Sequence, residues 1–569
     1  MAEMVNRIYA NFRGVDFRGE EINLARSPDS VNMWKVYKET ESIRTRPGLK
    51  EFYGLTDVHG IYFFKNELIV HHGTMLESSF PSSWQWVDGK PTMVMWLTLH
   101  SEVEDKPGCA FVFNDVWYFK DGKNYLQYDG MECREVEGYI PTTSIGRKPG
   151  GGGSTYEDVN MLSAYRKNTF LADGKSKEFF LDARDLDDDF TPSVMVNDAV
   201  LLVGNSYSVD YEAGKITFTV APEAPLTDGR DNVEVKFKKT VNGYRERITN
   251  CTMLQVFDNR VFFSGNPDYP NMVWHSSLND PGYCSDLDYY QDGTDNAAIR
   301  GLVAGNNALW VFREPSSANT TVFYHTPALD DDYGKIYPSA HSSVTTGCVG
   351  KAVNFNDDII FFSERGMEGI SGDITTEQVL SHRSTFVDRK LTAEPSYKDM
   401  ILEEWEGYLL VFVGSKAYLA DSRTGVQVED HMEYEWFYWD IGKKITCTCV
   451  RNGVLYLGTA DGIYTLDDME GAVESWWVTP KDKFKYPHRQ KTSNKRGCVA
   501  EATGDISVFA KTEKTDFELI GTNKNVTDYF VSRIKRKKFK DIQLKFYTKT
   551  RFSLETVTLE CFIGGYIKR

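Results

Sequence analysis

Few groups in this chain combine residue type and spacing in a way that could do chemistry. Gly150-Gly151-Gly152-Gly153-Ser154-Thr155 has the glycines of a phosphate-cradling loop. Such a loop needs a lysine ahead of its Ser/Thr to reach the phosphates and a buried strand leading into it. Both are missing, so the run reads as a flexible exit from a folded unit. Asp286-Leu287-Asp288-Tyr289-Tyr290-Gln291-Asp292-Gly293 has the carboxylates of a calcium loop, but its glycine is misplaced. Ala297 also stands where a bidentate glutamate is required, so no metal is assigned to it. The acidic clusters Asp187-Asp188-Asp189 and Asp330-Asp331-Asp332 read as solvated loops. His71 and His72 are neighbours, which on a strand point to opposite faces and cannot chelate together. Cys447 and Cys449 alternate onto one face of a strand, but no further ligands lie at a matching spacing; they read as filler. Gly-x-Ser-x-Gly, His-Glu-x-x-His and the Asp boxes of propeller sialidases are all absent from the sequence. The expectation is a non-enzymatic protein without cofactors.

The dense run that remains is basic: Arg533, Lys535, Arg536, Lys537, Lys538 and Lys540 fall within eight residues. It suits a grip on an acidic neighbouring subunit or on DNA phosphates. The plainer reading is an edge strand using lysine to block aggregation. Charge distribution favours subunit contact. The chain carries −17 overall, yet from Lys481 onward 21 Lys+Arg face 10 Asp+Glu, a net +11, leaving −28 for residues 1–480. An acidic body repels nucleic acid, and a basic end seeks an acidic partner.

The elements that must position these residues are strands. Tyr (31) and Phe (34) raise the aromatic share to 14%, and both favour half-buried pleated surfaces. No run of about 18 apolar residues occurs, so no membrane insertion is expected. Glu3, Asn6 and Arg7 interrupt any apolar stretch in the first residues, and nine cysteines are odd and scattered. Folding in a cytoplasm is the expectation.

Hairpin signals recur around Asn66, Asn114, Asn259, Asn307, Asp357, Gly407 and Asn452, each flanked by alternating hydrophobics. Their spacings are 48, 145, 48, 50, 50 and 45 residues. A period near 40–50 with several strands per unit predicts a β-propeller of six or seven blades. The 145-residue gap becomes one period once a block of about 95 residues is removed. That block, 147–240, holds short strand segments such as Val194–Leu202, Tyr207–Tyr211 and Gly214–Val220, and reads as an inserted β-sandwich. The expected organisation is an arm over 1–50, a propeller over 51–146 and 241–474, the insert, and a basic all-β domain over 475–569.

Several short motifs resemble a family of tailed-bacteriophage virion proteins, variously described as tail nozzle, head–tail connector or stabilisation proteins. They are Asn11-Phe12-Arg13-Gly14-Val15-Asp16, Ser27-Pro28-Asp29-Ser30-Val31-Asn32-Met33 and Ile43-Arg44-Thr45-Arg46-Pro47-Gly48 near the start. Ser264-Gly265-Asn266-Pro267 through Pro270-Asn271, Asn494-Lys495-Arg496-Gly497 and the closing Cys561–Arg569 are similar too. The resemblance implies a virion protein of the neck or tail, forming a ring of commonly six copies beneath portal and adaptor proteins. Genomic DNA would pass through that ring. A competing reading is a carbohydrate-binding or glycan-cleaving propeller, with Trp436-Phe437-Tyr438-Trp439 stacking on sugar. A third is a cytoplasmic scaffold outside any virion.

Overall fold

A computed structural model describes residues 3–36, 42–80, 84–87, 90–93, 95–330, 334–371, 378–428, 431–467, 472–534 and 538–566. The fold is all-β. Seven four-stranded antiparallel sheets occur among the described residues, and each begins at one of the seven hairpins. They are the blades of a β-propeller: I over Val58–His100, II over Cys109–Glu135, III over Met253–Gln291 and IV over Ile299–His341. Blades V and VI span Ala352–His382 and Ile401–Asp440; blade VII is Cys447–Asp467 with an added strand. The repeat has a conformational cause. Six of the seven turns hold two successive residues at positive φ: 114–115, 258–259, 306–307, 356–357, 406–407 and 452–453. Two-residue turns of that hand match the strand twist, and Asn, Asp and Gly tolerate them best.

The chain divides into two compact units, Met1–Pro107 with Phe312–Val322 and His341–Arg569, and Gly108–Val311 with Phe323–Ala340. In the second, Trp274, Phe263, Val261, Tyr125 and Ile248 share one core under blades II and III. The inserted block has its own. Its first strand, Thr142–Arg147, starts ahead of the 147 boundary read from the sequence. A six-stranded and a three-stranded sheet there enclose Phe170, Phe179, Ile216, Phe218, Val235 and Phe237.

In the first unit, blade VII shows what the start of the chain is for. Strands Cys447–Arg451, Val454–Thr459 and Gly462–Asp467 supply three of its members, and Gly48–Tyr53 pairs with Gly462–Asp467 as the fourth. The preceding residues are stitched into the C-terminal module. Glu3–Tyr9 and Ile43–Thr45 both pair with Phe552–Tyr566, and Met33–Trp34 with Ile43–Thr45.

The centre of that module is the 24-residue strand Arg489–Thr512. Thr512 faces Thr515 on one edge and Ile542 on the other, while Lys491 faces Phe539 and Ile563. Phe539 and Ile542 are three residues apart in sequence, a reach of about 10 Å. The ends of the long strand must therefore curl together. Register shifts at Ser493/Cys498 and Glu501/Ala502, with Gly497 and Gly504 at positive φ, supply the bends. Lys491 closes the curl: it is fully buried, and its ammonium donates to the carbonyls of Lys540 (2.8 Å) and Tyr486. Burial holds that ammonium below its ordinary pKa.

The arm motifs are fastenings. Ser27 Oγ donates to the Val478 carbonyl (2.7 Å). Asn32 Oδ1 accepts from the Asp440 and Arg46 donors (both 2.8 Å), and Asn32 Nδ2 donates to the Glu474 carbonyl. Arg46 also donates to the Asp440 carbonyl, and burial pulls its guanidinium down to about 10. Arg7 and Tyr9 both donate to the buried Asp482 carboxylate. At Gly14, with φ +84°, a Cβ would fall 2.0 Å from the Trp436 carbonyl oxygen, to which Val15 N–H donates. Gly14→Ala is expected to destabilise the fold by about 1–3 kcal/mol through strain and displaced pairing. Thermal unfolding and limited proteolysis of the arm measure it; wild-type behaviour in both would refute this role.

Candidate subunit-contact face

The basic run lies on an edge of the C-terminal module. Lys535, Arg536 and Lys537 lie outside the described residues. Arg533, Lys538 and Lys540 are exposed, while Ile534 and Phe539 between them are buried. The alternation continues upstream in Tyr529–Ser532, where Tyr529 and Val531 face out and Phe530 and Ser532 face in. Period two along one strand therefore places Tyr529, Val531 and Arg533 on a single outer face.

The pairing registers extend this face across four strands. Ile8, Thr558, Val499 and Val531 stand side by side, as do Met4, Phe562, Thr492 and Lys538. The intervening rows, Tyr9–Val557–Ala500–Phe530 and Ile563–Lys491–Phe539, are buried. Met4 (53%), Ile8 (60%) and Tyr529 (62%) are far more exposed than sheet-core residues. The result is an open sheet face on which Met4, Ile8, Tyr529 and Val531 alternate with Asn6, Thr558, Thr492, Glu501 and Glu560, with Arg533, Lys538 and Lys540 along one edge. Elsewhere on the module three lysines are paired with the arm. Glu20 pairs with Lys481 and Lys511, and Glu21 with Lys483. Lys511 and Lys481 hold the Glu20 carboxyl below its ordinary value.

Clusters that look catalytic serve the fold. His382 lies between Glu368 (3.2 Å) and Asp388 (2.6 Å), one at each ring nitrogen. Burial would lower its pKa, but the two carboxylates outweigh that and hold it up to about 10. An imidazolium so held is no general base at neutral pH. Ser384, fully buried, donates to Asp388 rather than to the histidine. In the other unit, buried His325 meets the Tyr337 carbonyl at Nδ1 and Asp292 at Nε2, both at 2.9 Å. Burial opposes its charge, yet Asp292 raises its pKa. Asp292 also accepts from Ser339, so this carboxylate of the calcium-like segment is already engaged. Burial further pushes Asp288 up to about 6. Buried Lys120 donates to the Ile248 and Thr249 carbonyls, capping the short helix Tyr244–Thr249 with help from Asn266. Burial lowers the Lys120 pKa.

The remaining sequence candidates resolve simply. Gly150–Gly153 form the turn between Thr142–Arg147 and Ser154–Thr155. Asp187 and Asp189 pair with Lys238; Asp331 and Asp332 lie outside the described residues. Cys447 and Cys449 are free thiols pushed up to about 12 by burial. His71 Nε2–H donates to the Glu104 carbonyl and His72 pairs with Glu77, on opposite faces. Trp436, Phe437, Tyr438 and Trp439 are at most 5% exposed, covered on the strand edge by the arm, so this strip offers no ring to a sugar. Among the described residues no group of three or more His, Cys, Asp or Glu is placed to hold a metal ion. No helix among them is long and apolar enough to cross a membrane.

Comparison with known proteins leaves the reading to this geometry. No family model matches the chain, and no curated protein matches it either. Among solved structures, BamB from Moraxella catarrhalis is similar at 11% identity, covering 74% of this chain and 97% of that one, with a TM-score of 0.33. The N-terminal domain of Nup159 is similar at 9% identity, covering 74% and 94%, with a TM-score of 0.32. A streptogramin B lyase is similar at 11% identity, covering 74% and 98%, with a TM-score of 0.26. Likenesses this slight carry no argument about what the chain does.

The charged His382 makes a testable pH signature. Its pKa is raised from the ordinary 6.5 to about 10, so its contribution is full below 6.5 and is lost as pH rises through 10. Chemical denaturation across that window is expected to show a falling stability whose slope flattens in His382→Leu; equal slopes would remove the histidine from the account.

Proposed function

We propose that this chain is a non-enzymatic structural subunit of a tailed-bacteriophage neck or tail. Copies of it associate head to tail in a ring beneath portal and adaptor proteins, and the genome passes through. The observation that carries this reading is the open face on the C-terminal module, which exposes Met4, Ile8, Tyr529 and Val531 and has Arg533, Lys538 and Lys540 along its edge. It belongs to a segment of net +11 on a chain whose remaining residues carry −28. A surface of that kind fits an acidic protein partner better than water. A heterologous contact between identical copies closes into a ring when its rotation permits.

The rest of the chemistry agrees. Among the described residues, the clusters around His382, His325 and Lys120 are engaged in internal ion pairs and a helix cap. The residues of the arm motifs that resemble phage proteins fasten the arm to blade VI and to the C-terminal module. Net negative charge keeps a passing polyanion from adhering to a conduit wall. The glycan reading rested on Trp436–Trp439, and these four side chains are buried.

Light scattering and negative-stain averaging of the purified protein, alone and with portal and adaptor proteins, test this. The expected result is a ring with an axial opening wide enough for duplex DNA. Association should weaken with salt, since the screening length falls from about 10 Å at 0.1 M to about 3 Å at 1 M. A chain that stays monomeric beside its proposed neighbours would overturn the reading.

A further inference from the structure

The inserted sandwich ends in an apolar surface that its own core does not use. Val200 (66%), Leu202 (68%), Val203 (51%), Val220 (77%) and Leu226 (96%) are all exposed. Backbone and side-chain hydrogen bonds gather them at one end. Thr219 N–H and Oγ1 donate to the Ser206 and Asn205 carbonyls, which brings Val220 beside the Leu202–Ser206 turn. Leu201 N–H donates to the Val194 carbonyl, tying that turn to the hairpin of Ser193–Val196 and Ala199–Val200. Asn232 Nδ2 donates to the Glu223 carbonyl and to Asn197 Oδ1, which holds the Glu223–Leu226 segment against the same hairpin. A recess of about 310 Å³ between them is lined by Met195, Asn197, Pro225, Leu226 and Asp231. Exposed Asp198, Glu223 and Asp228 surround this end; the exposed cations among them are Arg230 and Lys177, whose Nζ donates to the Thr219 carbonyl (2.8 Å).

The sandwich has no need of these side chains. Its two sheets already enclose a continuous aromatic and aliphatic core built on Phe170, Phe179, Phe218 and Phe237. Five large aliphatic groups left in water at one end, ringed by carboxylates, mark a surface made for a partner. The chain itself carries the complementary one. The C-terminal face also exposes apolar groups, Ile8, Met4, Tyr529 and Val531, amid Asn6, Glu501 and Glu560, and has a rim of opposite sign in Arg533, Lys538 and Lys540.

We infer that the acidic apolar end of the inserted sandwich docks on the basic apolar sheet face of the C-terminal module of a second copy. The occupant is a second copy because each chain presents one surface of each kind, matched in both hydrophobicity and sign of charge. One donor and one acceptor surface per copy is the requirement for head-to-tail growth, with either closure or a fibre as the outcome. This inference rests on the self-association in the function proposed above and names the two surfaces that carry it.

Sedimentation velocity of the full-length chain tests it, using two charge-reversed variants. Arg533→Glu/Lys538→Glu makes the face acidic; Glu223→Lys/Asp228→Lys makes the sandwich end basic. Each alone is expected to raise the dissociation constant at least about tenfold, which is ~1.4 kcal/mol per contact. Mixed together, they are expected to co-assemble in alternation, since each then meets a surface of opposite sign. Val220→Glu/Leu226→Glu should dissociate the assembly irrespective of charge, and thermal unfolding should leave all three variants as stable as the parent. If the parent assembles and all three variants assemble equally well, the docking is wrong while self-association stands. If variants dissociate but mixing restores nothing, the two surfaces do not meet between copies, and the inference fails. If the variants keep the self-assembly and lose only portal or adaptor binding, the occupant is a different virion protein and the inference fails. A parent chain that is monomeric under every condition removes both the docking and the proposed function.

Discussion

A propeller blade at the end of the chain has only three strands until something supplies the fourth, and here the supply comes from more than 400 residues away. Gly48–Tyr53 pairs with Gly462–Asp467, and the residues before it go further still, Glu3–Tyr9 lying along the last strand at Val557–Ile563. Unpaired strand edges expose rows of N–H and C=O groups, so leaving these pairings unmade would cost both stability and solubility. The entropy of closing so long a loop grows only with the logarithm of its length. Closure therefore costs little more over 500 residues than over 100. What it demands is side-chain precision along the arm, which explains why Ser27, Asn32, Arg46 and Asp482 are buried polar groups with multiple named partners.

Once the arm is placed, the aromatic strip of blade VI follows. Trp436, Phe437, Tyr438 and Trp439 alternate along an outermost strand, where one edge and part of one face would ordinarily meet water. The arm covers that edge with Val15 and Asn32 N–H groups donating to the Trp436 and Tyr438 carbonyls. Phe12, Trp34 and Trp477 then join the same core as Phe437 and Trp439. Buried cations are handled in the same manner. Arg26 lies 3.8 Å over the Phe386 ring with Glu435 beside it, and burial lowers its pKa although the carboxylate opposes the shift. Removing one member of such a pair strands the other, so these positions resist single substitutions more than exposed pairs do.

The legible part of the fold was its turns. Asn, Asp and Gly recur at the hairpin centres because both central residues take positive φ in six of the seven turns, and a conformational requirement repeated at that interval leaves a countable period. The insert was legible for the same reason, as an interruption of that period. What was not legible was any pairing between distant strands. Nothing in Leu49, Glu51 or Tyr53 says which blade they complete, because alternation specifies a face and not a neighbour. The curl of Arg489–Thr512 was hidden too, since it depends on register shifts and on buried Lys491, which in sequence is one basic residue among 21. The basic run was visible as charge. Its apolar companions Ile8, Met4 and Val531 come from opposite ends of the chain, and only registers place them in one surface.

The position of the open surfaces follows from how propellers satisfy themselves. Blade strands such as Tyr408–Val413 and Ala308–Arg313 are buried along their whole length, while blade edges and connections expose Met131, Leu287, Leu329 and Val379. The additions to the repeat expose apolar surface as well. Both additions here carry it: the insert ends in exposed aliphatic groups amid carboxylates, and the C-terminal module shows an aliphatic sheet face edged with lysine and arginine. The exposed lysines along that edge also repel a second copy of the same face, which disfavours face-to-face pairing while leaving an acidic partner welcome. A like-charged rim thus selects against the symmetric dimer and for the directional contact, and a ring needs contacts of the directional kind.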